Sequence, residues 1–394
     1  MAGTTFQRGS THTNLVPQKW SKKDYKFAFE ANPLIGYIGT GDDKIVQVDK
    51  NFIKEQGDKI TFALRALLTG DGQTDDGTYT GNSEGMTFYD MSVELHERGH
   101  SVQLSGNMTE QAAYDKLRPK GMSALREWDG MTTASDIIAA LSALKTMNHI
   151  HGRVLGSVAT NAASAQIGTV NQVALTPSAT HVRYFAGGQD VNGNIERVAN
   201  VAAIDSTVSN LFGTDVIEYV HRMATITVDS SGNAVCPLRP IRIDGEGWYL
   251  FLIDRLQKKA LQHDTKWKAA QQYANVRGRK NWLFNGADGI WDGVVIKTTD
   301  MLHRRRGVNA NTWPESFDTT ATPCASSRTV ARALFLGAQA ACIAYGKMPV
   351  WKTGYEDPPH NTKYTVHTDK IYGVKKSIFN SVEFGCIIVD TLAE

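Results

Sequence analysis

The sequence predicts an α+β fold, and three stretches predict it. Residues 59–70 (KITFALRALLTG) and 85–106 (GMTFYDMSVELHERGHSVQLSG) are two strand-like runs joined by DGQTDDGTYTGNSEG, a loop of turn formers. Residues 107–147 read as one long, interrupted helix, and residues 239–300 read as strand, helix, strand. At about 3.3 Å per residue each strand run reaches roughly 40 Å or more. A lone hairpin of that kind is marginal in water, so the arm must lie on something. The chain offers few partners nearby, and a second copy of the protein is the expected support.

The totals narrow the class. A chain of 394 residues holds two or three domains or one elaborated one. With 41% hydrophobic and 21% charged residues it has the composition of a folded soluble protein, and 35 glycines point to many turns and extended loops. A net charge of +2 does not mark a nucleic-acid binder. The cysteines (Cys236, Cys324, Cys342, Cys386) are far apart and form no CxxC pair, so free thiols in a reducing compartment are expected. No run of about 18 apolar residues is present, so no membrane partner is expected. MAGTTFQRGSTHTN lacks the apolar stretch of a secretory signal.

Taken in order, residues 1–30 are polar and read as an extended arm. Residues 27–39 (FAFEANPLIGYIG) need cover, from their own core or from a neighbour. Residues 42–59 read as a short helical or extended lead-in. In the second arm strand, Thr87, Tyr89, Met91, Val93, Leu95, Glu97, Gly99, Ser101 and Gln103 share one face, and Phe88 through Leu104 at even positions share the other. The first set is apolar from Tyr89 to Leu95 and polar after it, which predicts a half-buried strand with a bulge or twist near Gly99.

His96-Glu97-Arg98-Gly99-His100 matches HExxH, a zinc metalloprotease pattern. That chemistry needs a helix, with both imidazoles on one face and the Glu polarising a metal-bound water. Here the flanks alternate with period two, and Gly99 weakens a helix by roughly 1 kcal/mol relative to Ala. In a strand the two histidines lie about 13 Å apart, too far for one metal. A solvated strand is expected.

The helical stretch opens with Asn107 and Glu110 in a capping-box pattern, Asn standing where Ser or Thr is usual. Pro119 and Gly121 should interrupt or kink it. Leu125, Trp128, Ile137, Ile138, Leu141, Leu144 and Met147 then fall on one face. A continuous helix of about 40 residues would reach about 60 Å and act as a spine; two shorter packed helices are the alternative.

Residues 152–240 are less legible. Small residues dominate VATNAASAQIG, Asn192-Gly193 and residues 230–233 mark hairpin tips, and QDVNGNIE misses the glycine position of a calcium-binding EF-hand. Residues 199–224 read as helical, broken near Gly213. Further on, Trp248 to Ile253 are continuously apolar, as in a strand buried on both faces. A helix follows to Gly278, then a strand from Gly293 to Lys297. Asp254, His263, Asp264 and Asp292 carry no motif spacing, nucleophile elbow or phosphate-cradling loop, and the aspartates read as cap and loop carboxylates. His303-Arg304-Arg305-Arg306 is the one basic cluster, suited to phosphates or to an acidic interface. Residues 307–327 read as a long loop, 330–347 as core helix or strand, and the tail as alternating strands ending in a buried one, Gly385 to Asp390, paired with earlier sheet.

This order of arm, long hairpin, long helix, α+β core and returning strands resembles the major capsid proteins of tailed bacteriophages, the Hong Kong 97-type fold, and within it the family typified by phage N-four. The residues carrying the resemblance are GDKITFALRALLTGDG, GNSEGMTFYDMSVELHERGHSVQLSGNMTEQAAYDKLR, the stretch from Arg239 to Ile296, and YGVKKSIFNSVEFGCIIVDT. The resemblance implies an N-arm over 1–58, an E-loop hairpin over 59–106 lying across a neighbouring subunit, and a P-domain spine helix over 107–151. It also implies an A-domain over 152–350 whose tips meet at the five-fold and six-fold axes, and C-terminal P-domain strands over 351–394. No crosslinking Lys and Asn pair can be mapped.

The function so implied is structural, not enzymatic. It is a major capsid protein assembling as pentamers and hexamers into an icosahedral shell around double-stranded DNA, resident in the virion and assembled in the bacterial cytoplasm. A separate scaffold, portal and decoration proteins are implied partners; no cofactor or metal is. The interface candidates are Phe62, Leu64, Phe88 and Tyr89 on the arm and Trp128 on the spine, with Arg304, Arg305 and Arg306 as candidates for lumenal DNA contact. The alternatives are an encapsulin-like compartment shell with cellular cargo and a zinc hydrolase using His96, Glu97 and His100.

Overall fold

The computed structural model describes residues 34–50, 57–104 apart from 58, 67, 69, 71, 76, 79 and 82, then 117–142, 183–189, 195–197, 211–226, 237–273 apart from 244, 287–306 apart from 303, 329–355, 360, 363–379 and 382–393. The expected polar arm to residue 33, the Asn107 cap, the small-residue stretch after 152, the tips at 192–193 and 230–233, the helix end at Gly278, the loop 307–327, Cys236 and Cys324 lie outside the described residues.

The chain runs through β1 (Ile38–Gly39), β2 (Val46–Asp49), β3 (Lys59–Arg65), β4 (Phe88–Glu94), β5 (His96–Gln103) and α1 (Leu117–Ser142). It continues through β6 (Arg183–Gln189), β7 (Ile195–Arg197), α2 (Thr214–Thr225), β8 (Ile241–Ile243), β9 (Glu246–Ile253), α3 (Arg255–His263) and α4 (Thr265–Tyr273). Then come β10 (Gly289–Trp291), β11 (Val294–Thr298), β12 (Arg304–Arg306), β13 (Thr329–Leu336), β14 (Ala341–Tyr355), β15 (Tyr364–Lys376), β16 (Ile378–Phe379), β17 (Val382–Glu383) and β18 (Cys386–Leu392). Two compact units share these elements. Among the described residues one draws on His100–Glu127 and Trp351–Thr368, the other on Glu30–Gly99, Trp128–Val350 and Asp369–Glu394.

The larger unit is built on a nine-stranded mixed sheet whose central path is β10-β11-β9-β13-β18-β6-β7. Its strands are apolar on both faces because both faces are covered. Tyr249, Phe251 and Ile253 of β9, Phe335 of β13 and Ile387 and Val389 of β18 pack with Val216, Ile217 and Val220 of α2, Leu261 of α3 and Trp267 of α4. The alternate residues, Leu250, Leu252, Leu334, Leu336 and Ile388, pack with Ile137, Ile138 and Leu141 of α1. Leu34 and Tyr37 join this second cluster, so at these two residues the 27–39 stretch is covered by its own core, and burial pushes the Tyr37 hydroxyl up to about 12. Arg332 of β13 donates from Nε and Nη2 to Asp390 of β18 at 2.8 and 2.9 Å, and from Nη1 to the Ser142 carbonyl at 2.8 Å, which satisfies an end carbonyl of α1.

Two expectations are corrected and one open alternative is decided. Among the described residues the spine is one helix of 26 residues, about 39 Å long, that runs unbroken through Pro119 and Gly121. Pro119 is the third helical residue, in the first turn, where a missing N–H costs nothing. The single helix expected after Asp254 is two, α3 and α4, divided at Asp264. That carboxylate accepts from the Thr214 backbone N–H (2.8 Å) and hydroxyl (2.6 Å) and from the Lys266 N–H (2.9 Å), so it caps two helices at once. The segment 330–347, open between helix and strand, forms β13 and the start of β14.

The expected cap carboxylates are found. Asp254 makes a capping box with Gln257, and Asp292, in the β10–β11 turn, pairs with His221 Nδ1 at 2.8 Å. The final strand pairs antiparallel with β13 and parallel with β6. In the smaller unit, Arg118 stacks over the Tyr364 ring at 4.2 Å and Arg126 over Trp351 at 5.7 Å, so guanidinium planes on the helix meet aromatic faces on the strands.

Candidate assembly interface

The long strand expected over 86–104 is two strands that part at Leu95. β4 pairs antiparallel with β3 as a two-stranded arm, from Lys59↔Glu94 to Arg65↔Phe88. β5 joins a different, five-stranded sheet of order β1-β2-β14-β15-β5. The change in apolar face therefore comes from a change of sheet, not from a bulge at Gly99.

The arm is firmly seated at its root. Ile60, Met91 and Val93 are buried with Cys342 and Ala344 of β14, and Phe62, Leu95 and Phe379 pack against them. Burial there drives the Cys342 thiol up to about 12, so it is an inert packing group. Lys375 Nζ donates to the Ser92 carbonyl at 2.8 Å. Gly373 is required at this crossing, because a Cβ there would run into the Glu94 carbonyl and lie 2.8 Å from Val93 Cγ1.

Cover fades toward the tip. Phe62, Leu64 and Tyr89 are half-buried, while Phe88, Met86 and Leu68 are 58%, 62% and 63% exposed. The hairpin stays closed past its last paired residues: the Ala66 N–H donates to the Thr87 carbonyl at 2.9 Å, and the Gly70 N–H to Glu84 Oε2 at 2.8 Å. Side chains of this size left bare on a shaped projection are the mark of an interaction surface. Leu68 and Met86 were not singled out by sequence, although they flank the turn-forming loop on either side.

The spine meets the five-stranded sheet through buried charge. Asp129, Thr133 and Asp136 fall on one helical face. Arg98 of β5 donates to Asp136 and, at 3.0 Å, to the Tyr372 hydroxyl, which itself donates to Asp136. Lys370 pairs with Asp129 at 2.6 Å and donates to Thr133 at 2.7 Å. Burial pulls the Lys370 ammonium down, against the attraction of Asp129. Burial and the Asp136 charge hold the Tyr372 hydroxyl well above its usual value. Burial alone would lower Arg98, and Asp136 overrides it and raises it. The expected solvated strand is thus corrected at Arg98, whose side chain is 10% exposed. Trp128 is half-buried beneath the same guanidinium, 5.7 Å away.

His96, Glu97 and His100 lie in β5, where the two histidines are about 13 Å apart along the strand, not one helical turn apart. Among the described residues no group of three His, Cys, Asp or Glu is placed to hold a metal, and no helix is long and apolar enough to cross a membrane. Arg304, Arg305 and Arg306 form β12, antiparallel to the start of β13; the side chains of this strand lie outside the described residues.

The phage capsid protein family matches residues 11–394. The chain belongs to that family. It is 24% identical over 373 residues to the major capsid protein of Pseudomonas phage KPP25, covering 94% of this chain and 91% of that one. The fold matches the capsid of Ralstonia phage GP4 with a TM-score of 0.76 at 23% identity, over 100% of this chain and 99% of that one. It matches the cyanophage Pam1 capsid with a TM-score of 0.68 at 21% identity, over 98% of each chain. The fold is thus the Hong Kong 97-type α+β capsid fold expected from the sequence.

Proposed function

We propose that this chain is the major capsid subunit of a tailed phage, a structural protein that closes into an icosahedral shell of pentamers and hexamers around double-stranded DNA. The observation that carries this is the arm, anchored at Gly373 and bare at Leu68, Met86 and Phe88. A projection held at one end and apolar at the other suits a lattice in which each copy lies across the next. Many such contacts hold each subunit at once, so each can be weak. In this reading residues 59–94 form the E-loop, Phe62, Leu64, Phe88 and Tyr89 its contact residues, and Trp128 a spine residue near the same interface.

Assembly takes place in the host cytoplasm with a separate scaffold and portal, and the virion is the final location. The arginines of β12 would meet packaged DNA through phosphates, without reading sequence. Electron microscopy of the purified protein, expressed with its phage's scaffold, tests the reading. Closed shells, tubes or capsomer rings are expected, unchanged by EDTA, since no group among the described residues is placed to hold a metal. A chain that stays monomeric with its scaffold present would overturn it. DNA inside native particles separates a virion from a cellular compartment shell.

A further inference from the structure

The strands β9 and β11 are parallel neighbours that end in register, Ile253 opposite Thr298. Two parallel strands need a long crossover, and here it carries α3 and α4. A cavity of about 350 Å³ opens beside the strand ends, lined by both strands and both helices. The carboxyl ends of parallel strands, where the chain turns away into helices, are where such sheets leave room for ligands. The apolar wall is Ile253 of β9, Ile296 of β11, Leu261 of α3 and Trp267 of α4, and Lys258, Lys268 and Asp288 stand at its polar side. These polar groups are not equivalent. Asp288 is already occupied, taking Lys258 Nζ on Oδ1 at 2.5 Å and the Thr298 N–H on Oδ2 at 2.7 Å. Lys266 of α4 is held by Asp215, whereas Lys268 has no acid beside it among the described residues. Thr298 shares a strand face with Val294 and Ile296, the face that packs on α3 and α4, and its hydroxyl is buried without a hydrogen-bond partner.

We infer that this cavity is a binding site for a small, flat, apolar carboxylate, its ring against Trp267 and Leu261 and its charge toward Lys268. The apolar wall asks for a hydrocarbon body. The cation without an acid and the hydroxyl without an acceptor both ask for oxygen acceptors on that body. A cationic ligand would be opposed by Lys268 and would find Asp288 already engaged. A plain hydrocarbon would leave the ammonium and the hydroxyl unanswered. The volume sets the size: small-molecule pockets begin at about 300 Å³, so the occupant is a single-ring molecule, not a nucleotide or a folded peptide. A ligand seated there touches both strands and both helices of the crossover, and its binding stabilises the subunit by mass action. The site is built wholly from one chain, so the inference does not depend on shell formation.

Ligand-observed NMR on the purified full-length chain tests this, with three probes of one shape: 3-phenylpropionate, 3-phenylpropanamide and 3-phenylpropylamine. The carboxylate is expected to saturate one site per chain with a dissociation constant of about 1 mM or tighter, as suits a ligand of this size. The amide should bind more weakly and the amine most weakly. In a chain labelled with 5-fluorotryptophan, the fluorine signal of Trp267, assigned through Trp267→Phe, should move as the carboxylate is added. Lys268 is exposed, so Lys268→Glu should keep the circular dichroism of the parent chain. It should weaken the carboxylate about threefold to tenfold and reverse the order of carboxylate and amine. Absence of saturable carboxylate binding, equal affinities for the three probes, or a fluorine shift confined to other tryptophans overturns the inference, as does an unchanged order in Lys268→Glu. Each of these outcomes leaves shell assembly, and the capsid reading with it, untouched.

Discussion

The nine-stranded sheet and the β3–β4 arm use the same kinds of residue and end in opposite states of cover. Phe251, Phe335 and Ile387 are closed in by α2, α3 and α4, and Leu252 and Leu334 by α1. Phe88, Met86 and Leu68 are closed in by nothing comparable within their own chain. The sheet is finished by folding, and the arm is left to be finished by association. Apolar side chains therefore stabilise the monomer in one region and the assembly in the other.

This contrast can be broken most forcefully at the sheet. Arg332→Ala strands the Asp390 carboxylate, 2% exposed, without its guanidinium, and should cost about 3–5 kcal/mol in chemical denaturation. Phe251→Ala, fully buried between Phe212 and Phe335, should cost about 3–5 kcal/mol by the same measurement. If either were tolerated without loss, the sheet would not be the stabilising half. Gly373→Ala is the intermediate case. It should lift the arm root, giving faster amide exchange in β3 and β4 while β9 and β13 stay protected. At the other end, Phe88→Ala should change monomer stability by less than about 0.5 kcal/mol, the usual range for an exposed site, yet impair shell formation.

The smallest effect is one of pH. Hydrogen bonds from Thr214 and Lys266 outweigh burial and hold the Asp264 carboxyl below its ordinary value of 3.8. A depressed carboxyl stabilises the fold above the unfolded value, and that contribution is lost as pH falls from about 3.8 through the folded value. Melting curves between pH 5 and pH 2, about the span of that window, should therefore show a steeper acid loss in wild type than in Asp264→Ala.

What was legible in the sequence is what local pattern determines. The unbroken apolar run from Trp248 to Ile253 announced a strand covered on both sides, and Asp254 reads as one of several cap or loop carboxylates. The misreadings share one cause, that the deciding partner lies far along the chain. Asp264 divides two helices because Thr214, 50 positions away, donates to it. Arg98 sits in a strand with a polar face, and only Asp136 and Tyr372, 38 and 274 positions away, reveal that it is buried. The break at Leu95 was hidden because alternation continues across it while the sheet changes. At the candidate interface the alternating run of the second arm strand marks Phe88. Leu68 and Met86 carry no such mark, because each lies beside the turn-forming loop and outside the alternating run.

The most direct test of an arm built for other copies is to remove its tip and ask what is lost. Residues 66–87 would be replaced by Asn-Gly, a two-residue turn that closes β3 onto β4. Melting temperature and particle formation would then be compared with wild type in one preparation. The expected result is a soluble subunit melting within about 2 °C of wild type that forms no closed shell with its scaffold. Shells of normal size from the shortened chain, or a subunit that no longer folds, would contradict the division of labour between sheet and arm.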